Sequence, residues 1–288
     1  MITFSADDYG ICSGVSKSIE KSLEKGRLDK LSIFPNFDEI DLNKIWTGKD
    51  VALSLHLNLV EGKCMANIRE IPLIADEKGN FKYTFFGLFR LNLFNPKKLE
   101  EQLYKEIAAQ VMFWKSVLPE GTPFLIDSHQ HTHMIPAVFN ALIKVIKDQK
   151  IDLKYMRIPA EPVLPYIKTP SLYFTYSFVN LIKQWLLKFL WFINKGKSKN
   201  LNIPTALFLG ILFSGKMDEK RVGKILPKYK RISDKNGLDI EVLFHPGYLE
   251  KNSDDLENKN IVFKEFYLSQ NRKIEFDSVI NLTERSVM

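Results

Sequence analysis

Two residue types that often anchor folds and sites are scarce in this sequence. Only two cysteines, Cys12 and Cys64, occur in 288 residues. That excludes a disulfide framework and makes a reducing compartment the simpler expectation. Histidine numbers only five. Long uncharged apolar runs are absent as well. The most apolar stretch, Leu172 to Asn194, is broken by Lys183 and Lys188 and carries Asn180 and Gln184. A spanning helix needs about 20 mostly apolar residues, so no transmembrane segment is expected. The opening MITFSADDYG has too short an apolar stretch for a signal-peptide core. A cytoplasmic protein is therefore expected, with peripheral contact at the inner face of the membrane left open.

What is present is globular in character. Hydrophobic residues make up 45% and charged residues 26%, which excludes disordered and fibrous classes. Short β-branched runs alternate with helical patterns. Strands are expected at Ile2–Ala6, from Leu31, from Val51, at Phe124–His129, from Tyr155, from Ala206 and from Ile240. Helices are expected from Ser13 to a stop at Gly26, at Leu99–Val117, from Pro136 to Lys150 and over KMDEKRVGKILPKYK. Strand-then-helix repetition implies a parallel sheet. About seven strands with no linker between halves favour an irregular, TIM-barrel-like (β/α) barrel in one domain over a doubly wound open sheet. A loop-rich insertion is expected at about 61–96 and a basic aromatic one at about 172–205.

Four clusters lie at or just past predicted strand ends: Asp7–Asp8, His56, Asp127–His133 and His245–Pro246–Gly247. All five histidines fall inside them. In a barrel those ends converge on the face that carries active sites. Taken singly, each cluster has a bland explanation: a turn, a packed core histidine, a strand-ending HPG. Together they fit a divalent metal better. Imidazole and carboxylate suit zinc, cobalt, nickel or manganese, with three protein ligands and one open position. Such a set activates water and polarises a carbonyl, and a neighbouring carboxylate and histidine can move protons. If the DSHQHTH segment were extended, His129, His131 and His133 would point to one face.

SADDYG, SLHLNL, DSHQHTHM, MRIP and HPG, in that order over nearly the whole chain, resemble the YdjC-like carbohydrate deacetylases, which include chitooligosaccharide deacetylases. The resemblance implies a (β/α) barrel-like fold related to the polysaccharide deacetylases. It also implies removal of acetyl groups from N-acetylated sugars with one divalent metal (zinc, magnesium, cobalt, nickel or manganese). Carried over by motif, Asp8, His56 and His129 would ligate the metal, Asp7 would be the general base, and His245 the acid or transition-state partner. His131 and His133 would support the site or touch substrate. Arg157 would bind a substrate hydroxyl or carboxylate, or pair with Glu161. Ser54 stands where the family usually has glycine, a departure that bears on packing more than on metal.

The formal net charge of +7 is unevenly spread. Leu172–Arg231 carries a local +10 and the remainder −3. Its aromatic residues interleaved with lysines read as an interfacial helix, against the alternative of an ordinary barrel helix with a solvated lysine face. The character of this insertion resembles the hopanoid-associated branch of the same family, which implies a lipid-linked acetamido sugar or membrane contact. Rival classes are another metal hydrolase, such as a phosphoesterase, and a non-enzymatic membrane-surface binding protein. No nucleic-acid motif accompanies the charge, so no nucleic-acid partner is expected.

Overall fold

The computed structural model describes residues 1–37, 51–199, 202–257 and 261–282. Its centre is a parallel sheet of seven strands: β1 (Ile2–Tyr9), β2 (Lys30–Ile33), β3 (Ala52–Leu57), β4 (Phe124–Ser128), β5 (Leu153–Met156), β6 (Leu207–Leu209) and β7 (Ile240–Phe244). The strand order is β5-β4-β3-β2-β1-β7-β6. That is chain order bent round a circle and split between β5 and β6. At the split the Met156 N–H reaches the Pro204 carbonyl at 3.0 Å. The sheet is thus a curled, split (β/α) barrel.

The helices are α1 (Ser13–Lys25), α2 (Phe85–Phe94), α3 (Pro96–Val117), α4 (Pro136–Asp148), α5 (Leu164–Ile167), α6 (Phe178–Lys199), α7 (Glu219–Asn236), α8 (Ile261–Tyr267) and α9 (Gln270–Asn281). Proline at the first helical position starts α3 and α4, where its missing N–H costs nothing. Ser13 opens α1 from within, because Cys12 takes the cap position. The 61–96 connection is less irregular than its sequence suggests: Lys63 and Ala75 bridge Asn80 and Phe81, and α2 follows. Residues 200 and 201 of the expected basic insertion lie outside the described residues.

The outer face of the sheet is apolar, as helix-covered parallel strands require. Phe4, Leu31, Leu55, Ile126 and Val242 are buried there. The inner face is not. Alternate positions carry Ser5 and Asp7 on β1, Lys30 and Ser32 on β2, Ser54 and His56 on β3, Asp127 on β4, Tyr155 on β5 and Glu241 on β7, all but the half-buried Tyr155 being buried. The β3 strand is buried, and Ser54 and His56 on its inner side join a polar network.

Arg157, just beyond β5, sits at the middle of that network and is fully enclosed. It holds Asp7 with two parallel bonds of 2.7 and 2.9 Å, Glu241 at 2.6 and 3.0 Å and Asp127 at 3.3 Å. Lys30 adds a second cation 2.7 Å from Glu241. Burial opposes the charge on Glu241, yet Arg157 and Lys30 prevail and lower its pKa to about 2. Ser32 and Ser54 donate to Asp127 at 2.7 and 2.8 Å. Ser54 therefore orients a buried carboxylate.

Removing the shared cation leaves the buried Asp7 without its partner, and Glu241 and Asp127 with Lys30 as their one cation. Arg157→Met is expected to lower unfolding free energy by about 3–5 kcal/mol, measured from urea denaturation. Adding Asp7→Asn in the same chain should recover part of that loss, since one stranded charge disappears.

Candidate active site

Adjacent residues in a regular strand point to opposite faces, so Asp7 and Asp8 should not both reach the barrel mouth. A defect at the end of β1 lets them. The register with β2 slips between Ala6 and Tyr9, and Asp8 has φ 74°. This left-handed backbone is uncommon for any residue but glycine, and aspartate is among the types that tolerate it best. Asp7 then turns inward to Arg157, and Asp8 turns into the mouth.

There Asp8 Oδ1 lies 3.1 Å from His129 Nδ1 and 3.6 Å from His56 Nε2. One donor atom from each of Asp8, His56 and His129 falls within 4.8 Å of the others, and all three side chains are buried. His56 passes its other nitrogen, Nδ1, to Asp127 Oδ1 at 2.6 Å, and His129 Nε2 lies 3.2 Å from Glu61 Oε1. Phe34 walls the group, its ring 4.8 Å from that of His56 and 5.0 Å from that of His129.

The donor set fits a divalent cation. Asp8 Oδ2 and His56 Nε2 are buried with no hydrogen-bond partner, and unsatisfied buried polar atoms call for an explanation such as an ion. The carboxylate–histidine pair of Asp127 and His56 is the arrangement that fixes a metal-binding tautomer. Asp7, His56 and Asp127 form a second group within 4.8 Å. Its carboxylates are already engaged by Arg157 and the two serines, so the first set is the better cation site.

Protonation in the metal-free chain follows the same charges. Burial works against an ionised Asp8, but the neighbouring His129 and His56 rings and the charge of Arg272 hold its pKa well below the carboxylate range. Burial likewise opposes a charged His129, yet Asp8 and Glu61 raise its pKa to about 10. His56 is raised too, against burial, by Asp7, Asp127 and Asp8.

His245 stands at the end of β7. Its backbone N–H donates to Glu275 Oε2 at 2.5 Å, and its Nδ1 is 3.3 Å from the same oxygen. Arg272 ties this group to the aspartate: it donates to the His245 carbonyl at 3.3 Å and lies 3.6 Å from Asp8 Oδ2. Both Arg272 and Glu275 come from α9 and are buried.

The other histidines depart from the sequence expectation. Residues His129–Met134 form a 3-10 turn with left-handed Gln130 and His131, not an extended segment, so the three imidazoles do not share a face. His133 bonds Ser128 at 2.5 Å and the Arg157 carbonyl at 2.8 Å, and burial lowers its pKa to about 4. His131 packs edge-on to Phe208, the ring centroids 5.9 Å apart; burial and the Arg157 charge keep it neutral. Arg157 has no surface open to a substrate and does not pair with Glu161. That carboxylate instead accepts from the backbone of Gly210, Ile211 and Leu212 at 2.6, 2.7 and 3.2 Å. Glu61, Asp127, Glu241, Arg272 and Glu275 received no role from the sequence. Only Asp127 carried a signal, its place beside the histidine-rich run.

Known proteins agree with this architecture. A carbohydrate deacetylase of Clostridium beijerinckii is 24% identical over 185 residues, covering 62% of this chain and 69% of its own length. A chitooligosaccharide deacetylase of Yersinia enterocolitica is 21% identical over 257 residues, covering 87% and 83%. The crystal structure of an Enterococcus faecalis V583 protein named for cellobiose-phosphate cleavage superposes with a TM-score of 0.62 at 15% identity. That match covers 99% of this chain and 91% of the other, and speaks for the fold alone. The family model described as YdjC-like protein matches residues 1–284, and the chain belongs to that family.

Proposed function

We propose that the protein is a carbohydrate N-deacetylase that hydrolyses the acetamide of an acetamido sugar, an oligosaccharide or a lipid-linked glycan, in the cytoplasm. The observation that carries this reading is the gathering of Asp8, His56 and His129 at the barrel mouth, with two buried donor atoms that lack a hydrogen-bond partner. These three residues would hold one divalent cation: zinc, magnesium, cobalt, nickel or manganese. When bound, such an ion makes water acidic and polarises a carbonyl.

The remaining chemistry belongs to the chain. Asp7 takes a proton from the attacking water as its oxygen bonds to the acetyl carbon; Arg157 fixes the orientation of that carboxylate. Breaking the C–N bond requires a proton on nitrogen, which His245 donates, its ring held by Glu275. The products are acetate and the free amine. Phosphoester hydrolysis is disfavoured because Asp7, Asp8, Glu61 and Glu275 surround the mouth and would repel a phosphoryl dianion.

Asp7→Asn is expected to lower kcat/KM for acetate release from N-acetylglucosamine oligomers by about 10²–10⁴-fold while retaining metal. A variant with metal and near-normal turnover would sink the base assignment. Chelation should abolish acetate release, and p-nitrophenyl phosphate should stay unhydrolysed with or without chelator.

Metal must displace the proton that Asp8 and Glu61 keep on His129, whose pKa is about 10. Affinity is therefore expected to rise with pH through the neutral range, with a proton released on binding. Calorimetry in buffers of different ionisation enthalpy measures that proton. Asp127→Asn, which loosens His56, should weaken metal binding about 10–100-fold.

A further inference from the structure

Helix α6 does not pack as an ordinary barrel helix. Asn180 donates to the carbonyls of Leu212 and Ser214 at 3.3 and 2.9 Å, Lys188 to that of Glu161 at 3.3 Å and Asn194 to that of Met134 at 2.8 Å. Those carbonyls follow the ends of β6, β5 and β4. The helix therefore runs along the mouth, across three strand ends and over the split. Between Asn180 and Asn194 it covers about 21 Å.

Its two sides are reversed relative to a helix in water. Asn180, Gln184, Asn194 and Ser198 are buried, with Leu187 and Leu190 between them. Phe178, Ile182, Trp185, Phe189 and Phe192 are exposed, Phe178 at 74% and Trp185 at 59%. At about 100° per residue these apolar residues lie opposite the buried stripe, with Lys188 and Lys195 on one flank and Lys183 and Lys197 on the other. Lys195 Nζ sits 4.3 Å from the Phe192 ring centroid. Just ahead, Phe174 is 94% exposed on a left-handed backbone, φ 62°, an outlier for a bulky aromatic residue.

Helix α2 extends the surface. Its Asn92 accepts from the Ala137 N–H at 2.9 Å, three residues beyond Met134, and Leu93 and Phe94 beside it are exposed. Contiguous exposed apolar surface of this kind marks binding sites more often than scattered apolar residues do. Charge selects the partner: Pro162 to Met217 contains seven lysines and no acidic residue. A two-fold dimer through α6 would set those lysines against their own copies, whereas anionic lipid neutralises them.

We propose that α6, with Phe174 and the exposed end of α2, is a docking face for anionic membrane that holds the barrel mouth against the lipid headgroups. The face stands on the fold. That it presents lipid-linked acetamido sugars rests on the deacetylase reading.

Flotation of the full chain with phosphatidylcholine vesicles, with and without phosphatidylglycerol, tests the face. Binding is expected with phosphatidylglycerol at low salt, falling as salt rises. Trp185→Ser/Phe189→Ser should weaken it roughly tenfold or more, with the urea midpoint and turnover of soluble N-acetylglucosamine oligomers unchanged. Lys195→Glu should weaken binding to the anionic vesicles alone. Absence of flotation with phosphatidylglycerol, or flotation indifferent to the double variant, overturns the proposal. So does a self-association of the intact chain that the double variant abolishes while vesicles remain unbound. Failure to release acetate from both the soluble oligomer and a lipid-linked acetamido sugar would remove the deacetylase reading and leave the flotation result standing.

Discussion

One guanidinium organises the molecule. Arg157 is shared by Asp7, Asp127 and Glu241 inside the barrel, and each of those carboxylates leads elsewhere. Asp127 fixes the ring of His56, Asp7 is left at the edge of the mouth, and Glu241 anchors Lys30. The Arg157 backbone matters as much as its side chain. Its carbonyl holds His133, and so pins the turn that delivers His129. The ion network of the barrel and the scaffold of the mouth are one structure, and buried charges of this kind are tolerable only when thoroughly partnered.

Charge balance ties that network to the site. Asp7, Asp8, Asp127, Glu241 and Glu275 are buried inside the barrel or at its mouth, against Lys30, Arg157 and Arg272. With neutral imidazoles this buried group has a surplus of negative charge that a divalent cation would offset. The same carboxylates push the rings of His129 and His56 toward their charged forms.

The sheet was legible because strands buried against helices must be largely apolar on their outer side, as Phe4 and Ala6, Leu31 and Ile33, Leu53 and Leu55, and Ile240 and Val242 are. The strand-end positions of the histidines followed from the same runs. What escaped notice was everything set by a local backbone exception or by a distant segment. The register slip at Asp8 and the left-handed pair Gln130–His131 have no periodic signature. Arg272 and Glu275 arrive from a helix more than twenty residues past β7, where an arginine and a glutamate look like any solvated pair. Arg157 and Glu161 lie four apart and suggest each other, but three buried carboxylates and three backbone N–H groups offer each a better partner.

The split between β5 and β6 has a cost that falls on α6. A sheet edge exposes backbone groups that need partners, and around this seam the carbonyls of Met134, Glu161, Leu212 and Ser214 are met by side chains of one helix. A helix face committed to supplying amide and ammonium donors cannot also be the apolar face. Phe178, Ile182, Trp185, Phe189 and Phe192 are left to the other side, so the unclosed barrel and the outward-facing aromatic surface are two ends of a single compromise.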